Sequence, residues 1–293
     1  MLANGSGNNH LSLSCLQNQG RLVFDRMNRY TGRLSNDLTP ENVRHFRTNS
    51  RRVEVLIDTL APESRNKKKA LKLVSKLRKR AGKLRDTDVQ IALLKGLKVP
   101  DRQNHRAQLL ELLDEEHDRL TRKLSKAADA STLRELRKRL RREQEAIDFD
   151  GIDPLRLAMN ALPSIDQASL TETTLHDFRL GAKRARYLAE LAGESPAAKN
   201  FVDKLKRAQD AAGEWHDALK LKERAEKRFG SASESALVSV LQNISRARFR
   251  SASHALMSAV ASLSKPEPLA KPPAQFQHKA AASEKIEQRS AVA

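Results

Sequence analysis

Cysteine is almost missing from this chain: Cys15 stands alone among 293 residues. One thiol makes neither an internal disulfide nor a cysteine-based metal site, so nothing in the sequence calls for an oxidising compartment. Phe, Trp and Tyr together supply 4% of the residues. Proteins that grip single-stranded nucleic acid stack bases on such rings, which weighs against an RRM-like or OB-fold reader. No apolar run approaches the roughly 18–20 residues needed to span a bilayer. The opening MLANGSGNNHLSLSCLQ lacks the basic start and unbroken apolar centre of a secretory signal. A soluble cytoplasmic protein without membrane insertion is expected. A Walker-type glycine loop, an HExxH helix and the alternation of a strand are also absent.

What the chain does have is positive charge. Lys and Arg number 55 against 36 Asp and Glu, a formal charge of +19. Such an excess repels itself in a folded protein and attracts polyanions, whether nucleic acid, anionic membrane or polyphosphate.

The periodicity predicts an all-α protein. Residues 1–38 are rich in Asn, Ser and Gly and read as a mostly flexible segment with a short helical turn around Arg21 to Tyr30. Helix follows from 39 to 264, beginning with Thr39 as N-cap and Pro40 in the first turn. Breaks or kinks are expected near Gly82 and Gly213, Ser131 is expected to cap a helix, and DFDGIDP (Asp148 to Pro154) is a loop between halves at about 39–150 and 151–264. The tail, 265–293, is rich in Pro, Ala and charge and reads as disordered.

Two basic stretches repeat. VRHFRTNSRRVEVL (Val43 to Leu56) aligns with LHDFRLGAKRARYL (Leu175 to Leu188), placing Arg47 on Arg179, Arg51 on Lys183 and Arg52 on Arg184. RAGKLRDTDV (Arg80 to Val89) aligns with DAAGEWHDAL (Asp210 to Leu219), placing Gly82 on Gly213, Arg85 on His216 and Asp86 on Asp217. Two motifs in the same order at nearly the same offset point to an internal duplication into two helical bundles. On a helical wheel His176, Arg179, Lys183 and Arg186 share an arc of about 80°. Leu175, Phe178, Ala182 and Ala185 take the arc beside it. In the first copy Arg44, Arg47 and Arg51 border Val43, Phe46, Val53 and Ile57. Each helix thus buries one flank and carries a cationic stripe on the next. A solvated face is the bland explanation. Charges of one sign, set against the core border and present twice, favour a binding role. Asp86 and Asp217 either orient their neighbours Arg85 and His216 by charge-assisted hydrogen bonds or begin a helix after a glycine kink.

HDFRLGAKRARYLAEL with GEWHDAL resembles the second repeat of the CHAD domain, the conserved histidine α-helical domain. VRHFRTNSRRVEVL with GKLRDTDV resembles the first. The resemblance implies two four-helix bundles related by pseudo-twofold symmetry, with basic residues of both repeats lining a shared surface or channel. The ligand it implies is inorganic polyphosphate, at polyphosphate granules. By position, the contacts it implies are Arg44, Arg47, Arg51, Arg52, Arg85, His176, Arg179, Lys183, Arg184, Arg186 and His216. Arg44 stands where the first repeat carries its signature histidine, and His45 is next to it. Arginine can replace histidine for phosphate binding but not as a proton carrier or metal ligand. No Glu-x-Glu-x-Lys signature of a triphosphate-hydrolysing tunnel domain is present, so the chain is similar to the stand-alone form.

No cofactor or metal is expected, and no catalysis. The acids Glu143, Glu145, Asp148 and Asp150 have no histidine at ligand spacing and read as a solvated helix end. A polyanion grip should weaken with salt through counterion release. His176 and His216 should be drawn toward their charged forms beside phosphate, so mild acid should tighten binding. The rival reading is non-specific nucleic-acid binding, with nucleic acid otherwise a weaker competitor.

Overall fold

The computed structural model describes residues 13–100, 103–163 and 170–264, and these form helices with no strand among them. The order is α1 (Leu13–Asn36), α2 (Pro40–Leu60), α3 (Arg65–Lys95), α4 (His105–Ala127), α5 (Ala130–Ala146), α6 (Pro154–Asn160), α7 (Glu172–Ala189), a 3-10 turn (Glu190–Ala192), α8 (Pro196–Phe229) and α9 (Ala236–Ser264). None of these helices is long and apolar enough to cross a membrane.

Local chemistry sets the helix starts. The Thr39 hydroxyl accepts from the Asn42 amide at 3.4 Å, with Pro40 in the first turn. Ser64 accepts from the Lys67 amide at 2.9 Å. Thr171 and Thr174 form a reciprocal capping box at the head of α7. α5 is capped by Asp129, which accepts from the Thr132 amide at 2.9 Å, rather than by the expected Ser131.

Three expectations are corrected. The segment 1–38 is not mostly flexible where it is described: α1 runs for 24 residues and buries Leu16, Phe24, Met27 and Leu34. α3 and α8 pass through Gly82 and Gly213 without a break. A helix-interior glycine costs only about 1 kcal/mol, which the packing of these long helices absorbs. Glu143 is buried, not solvated; its Oε1 accepts from the Asn66 amide at 2.5 Å, and the Asn66 carbonyl accepts from Arg139 at 3.1 Å. The expected disordered tail lies outside the described residues.

The core belongs to both halves of the chain. Phe24 and Met27 of α1, Phe46 and Ile57 of α2, and Leu77 and Leu84 of α3 share one apolar cluster with Phe178 of α7 and Leu205 and Trp215 of α8. A second cluster joins Leu94, Leu109 and Leu113 to Leu221, Leu237 and Leu241, where the far ends of α3 and α8 meet α4 and α9. α2 packs on α3, α7 on α8, and α2 also on α7.

Two ion pairs cross that last seam. Arg52 on α2 donates to the Glu190 carboxylate through Nε at 2.7 Å and Nη2 at 3.2 Å. Arg184 on α7 donates from Nη1 to Asp58 at 2.9 Å and from Nη2 to the Thr59 hydroxyl at 3.0 Å. The pairs are reciprocal: the offset that carries Arg52 onto Arg184 also carries Asp58 onto Glu190.

Candidate polyanion site

At the meeting of α2, α3, α7 and α8 lies a cleft of about 620 Å³. α2 contributes Arg44 and Arg47, α3 contributes Arg85, and α7 contributes Arg179, Lys183 and Arg186. These residues come from distant parts of the sequence, and they reach one cleft because each helix carries its basic arc beside the apolar arc it buries. Phe46 and Phe178, each one residue before a cleft arginine, are fully buried.

The glycines have a use other than a kink. Gly82 is buried, and a methyl group there would sit 3.4 Å from Arg47 Nε, so the arginine side chain lies across the bare backbone of α3. From there Arg47 reaches Asp86 at 3.6 Å. Gly213, its counterpart on α8, lines the cleft, and a methyl group on it would meet nothing within 4 Å.

Most of the cleft cations lack a partner. Arg44, Arg85, Arg179 and Lys183 make no ion pair among the described residues. The buried Nε atoms of Arg51, Arg179 and Arg186 have no acceptor. Buried donors are nearly always satisfied in folded proteins, so these guanidiniums are short of acceptors. Arg186 lies 3.6 Å from Glu190 and over the Tyr187 ring at 5.2 Å.

The crowding changes proton affinities. Burial, then Arg179, Arg51 and Arg47, push the Lys183 ammonium down to about 6, against the pull of Asp217. Burial, then Arg47 and Arg78, bring Arg51 down to about 10. Burial raises the Asp217 carboxyl, opposed by Arg179. His216, 5.6 Å from His176 between ring centroids, is pushed down to about 3 by burial and then by Arg179 and His176. The free protein therefore keeps His216 neutral in mild acid, and Lys183 replaces it as the group that changes charge near neutrality.

The sequence-predicted residues separate into three groups. Arg44, Arg47, Arg85, Arg179, Lys183 and Arg186 line the cleft together with Asp86 and Asp217. Arg51, His176 and His216 are not in its lining, though Arg51 and His216 feel its charges. Arg52 and Arg184 are held in the ion pairs of the α2–α7 seam. The sequence reading missed Thr48, Val89, Gln209, Asp210 and Glu214 in the lining. Counting back one turn from Gly213 and Asp217 along α8 would have found Asp210 and Glu214 on the same face. The lining is thus mixed, with Asp86, Asp210, Glu214 and Asp217 set against six cations. Among the described residues no group of three His, Cys, Asp or Glu side chains is placed to hold a metal ion. A larger depression of about 810 Å³ between α4 and α8 holds Glu116 and Arg224, which are paired with each other at 2.5 Å.

The family model described as CHAD domain matches residues 19–226. The fold is similar to the crystal structure of the CHAD domain from the plant Ricinus communis, with a TM-score of 0.59 at 15% identity over 85% of this chain and 91% of that one. It is similar also to PptA from Streptomyces chartreusis, with a TM-score of 0.60 at 16% identity over 86% of this chain and 99% of that one. No curated protein matches the chain in sequence.

Proposed function

Because this chain belongs to the CHAD domain family, we propose that it binds inorganic polyphosphate in the cleft between α2, α3, α7 and α8, without turnover, in the cytoplasm at polyphosphate granules. One observation carries this: six basic side chains from two distant parts of the sequence converge on one cleft, and most have no partner there. A chain of phosphates supplies acceptors in series and brings no bases that need stacking. Arginine meets phosphate oxygens in pairs, and lysine meets them as a point charge. Asp86 contacts Arg47 rather than its expected neighbour Arg85, and Asp217 makes no ion pair but attracts Arg179 through its charge. The reciprocal seam pairs and the matched positions of Gly82 and Gly213 support the duplicated design, in which each half offers the same stripe.

The test is a competition. Labelled long-chain polyphosphate is titrated with the protein from low to physiological salt, with excess duplex DNA or RNA present. Retention of polyphosphate against both is expected. Ready displacement by nucleic acid at equal phosphate concentration would instead make the cleft a general polyanion surface.

Binding should also depend on pH through Lys183. Its amine is mostly neutral at pH 7 in the free protein, and a polyanion favours the charged form, so its pKa is higher in the complex. The contribution is complete below about 6 and fades as pH rises through the higher bound value. Affinity is therefore expected to rise as pH falls from about 8 to about 6, with proton uptake on binding. Lys183→Arg, which keeps its charge, should flatten the profile. Folding has the opposite sign. An unfolded lysine keeps its proton up to about 10.4, so the free protein should gain stability from Lys183 as pH rises above about 6. Isothermal titration in buffers of different ionisation heat checks the uptake; none in the wild type would mean that Lys183 is already charged.

A further inference from the structure

Outside the cleft, the largest concentration of unexplained charge lies on α3. From Arg65 to Arg85 the chain carries eleven Lys and Arg and not one acid. Lys68, Lys69, Lys72, Lys76, Lys79 and Lys83 are all exposed. At 100° per residue they fall within an arc of about 100°, a row about 22 Å long. None of them has an ion pair among the described residues. The two carboxylates that feel the row, Glu54 and Glu63, are already held by Arg78 and Lys67.

Solubility alone does not account for the row. Like charges three and four apart destabilise a helix. The chain mixes signs on other exposed helix faces: Arg141 pairs with Glu145 on α5, and Lys220 with Glu223 on α8. The α3 row omits that device over its whole length. It also has a direction. Lys83 lies within one turn of Arg85 and Asp86, which line the cleft, and the row runs from there toward the helix N-terminus, the positive end of the macrodipole.

We propose that the α3 row is a second binding surface for the same linear polyanion: a polyphosphate chain longer than the cleft leaves it past Arg85 and lies along α3 toward Ser64. This rests on the polyphosphate reading of the cleft. Lysines without fixed partners suit a chain whose register is undefined, because an ammonium imposes no bidentate geometry. The absence of acids and of aromatic side chains along the row fits a ligand that presents only phosphate.

The experiment uses the full chain and the triple variant Lys72→Gln, Lys76→Gln, Lys79→Gln, with Arg179→Glu as the cleft control. Lysine and glutamine have similar helix propensity, and these positions are exposed, so folding is preserved. Affinity is measured for tripolyphosphate and for long-chain polyphosphate across a salt series. The triple variant should bind tripolyphosphate like the wild type. Its long-chain affinity should fall roughly tenfold or more at low salt. Its plot of log affinity against log salt should be shallower by about two, at about 0.7 per lost contact by analogy with single strands. Unchanged long-chain affinity and slope would overturn the row, whatever the cleft does. If Arg179→Glu changes nothing while the triple variant loses long chains, the cleft reading fails and the row stands as the site. If the triple variant loses duplex DNA but keeps long-chain polyphosphate, the row is a nucleic-acid surface and the inference is overturned.

Discussion

Reversing charge at two cleft positions, Arg179→Glu with Lys183→Glu, is expected to lower polyphosphate affinity by at least about a hundredfold while the protein stays helical. Each side chain offers a charge-assisted hydrogen bond worth roughly 1.5–3 kcal/mol. Losing two exceeds about a hundredfold before any repulsion from the new carboxylates is counted. Folding should tolerate the change because neither side chain is paired: Lys183 is repelled by Arg179, Arg51 and Arg47, and Arg179 feels Arg47 and Arg51 against the pull of Asp217. Arg179 is only 7% exposed and close to Asp217, so a carboxylate there would itself be repelled. Arg179→Met with Lys183→Met separates the two effects by removing charge while keeping length. Circular dichroism and a melting curve establish the fold, and titration with polyphosphate reads the site. Unchanged affinity in a well-folded Met pair would place the binding elsewhere.

Gly213→Leu should have two effects of opposite sign. Leucine is favoured over glycine in a helix interior by roughly 0.8–1 kcal/mol, and the first added carbon meets nothing within 4 Å. Tm should therefore rise by about 2–4 °C for a protein of this size. The same side chain projects into the cleft, where it displaces ligand and adds no donor, so polyphosphate affinity should fall at least about tenfold. Gly213→Ala should keep most of the thermal gain with a smaller loss of binding. A damaged protein cannot be more stable and bind less by this route, which makes the pair of readouts informative. Unaltered binding by Gly213→Leu would mean that the ligand avoids the α8 side of the cleft.

How much of this was legible in the sequence depended on what each residue contributes to periodicity. α2 and α7 were readable because their apolar arcs are filled by large residues and their starts carry Thr caps. α1 was not, although Leu16, Gly20, Phe24, Met27, Thr31 and Leu34 fall on one buried face. Gly20 and Thr31 are small or polar, so they hid the period within a composition that suggests a loop. Gly20 is there for packing: the Phe149 ring occupies the space a side chain would need. In the cleft, the wheel found Arg44, Arg47, Arg179, Lys183 and Arg186 because they sit beside the core, whereas Arg85 came from the aligned glycine motifs. Arg52 and Arg184 entered through family resemblance alone. Each lies about 140° round its helix from Arg47 or Arg179, an angle that leads to the seam and its acids. Asp210 and Glu214 escaped notice because charge counting looks for excess, and two acids inside a basic site cancel part of it.

The burial of α1 has a consequence for the order in which the chain acquires its structure. This helix is made before each of the elements it packs on: α2, α5 and the 3-10 turn at Glu190–Ala192. Gln19 lies against Gly193, which adopts a positive φ of 58°. During vectorial synthesis α1 meets α2 first, then α5, and the 3-10 turn only once the second half has emerged. Contacts of such long sequence separation form slowly and leave apolar surface open to self-association. The first of the described helices is thus among the last to have its packing completed.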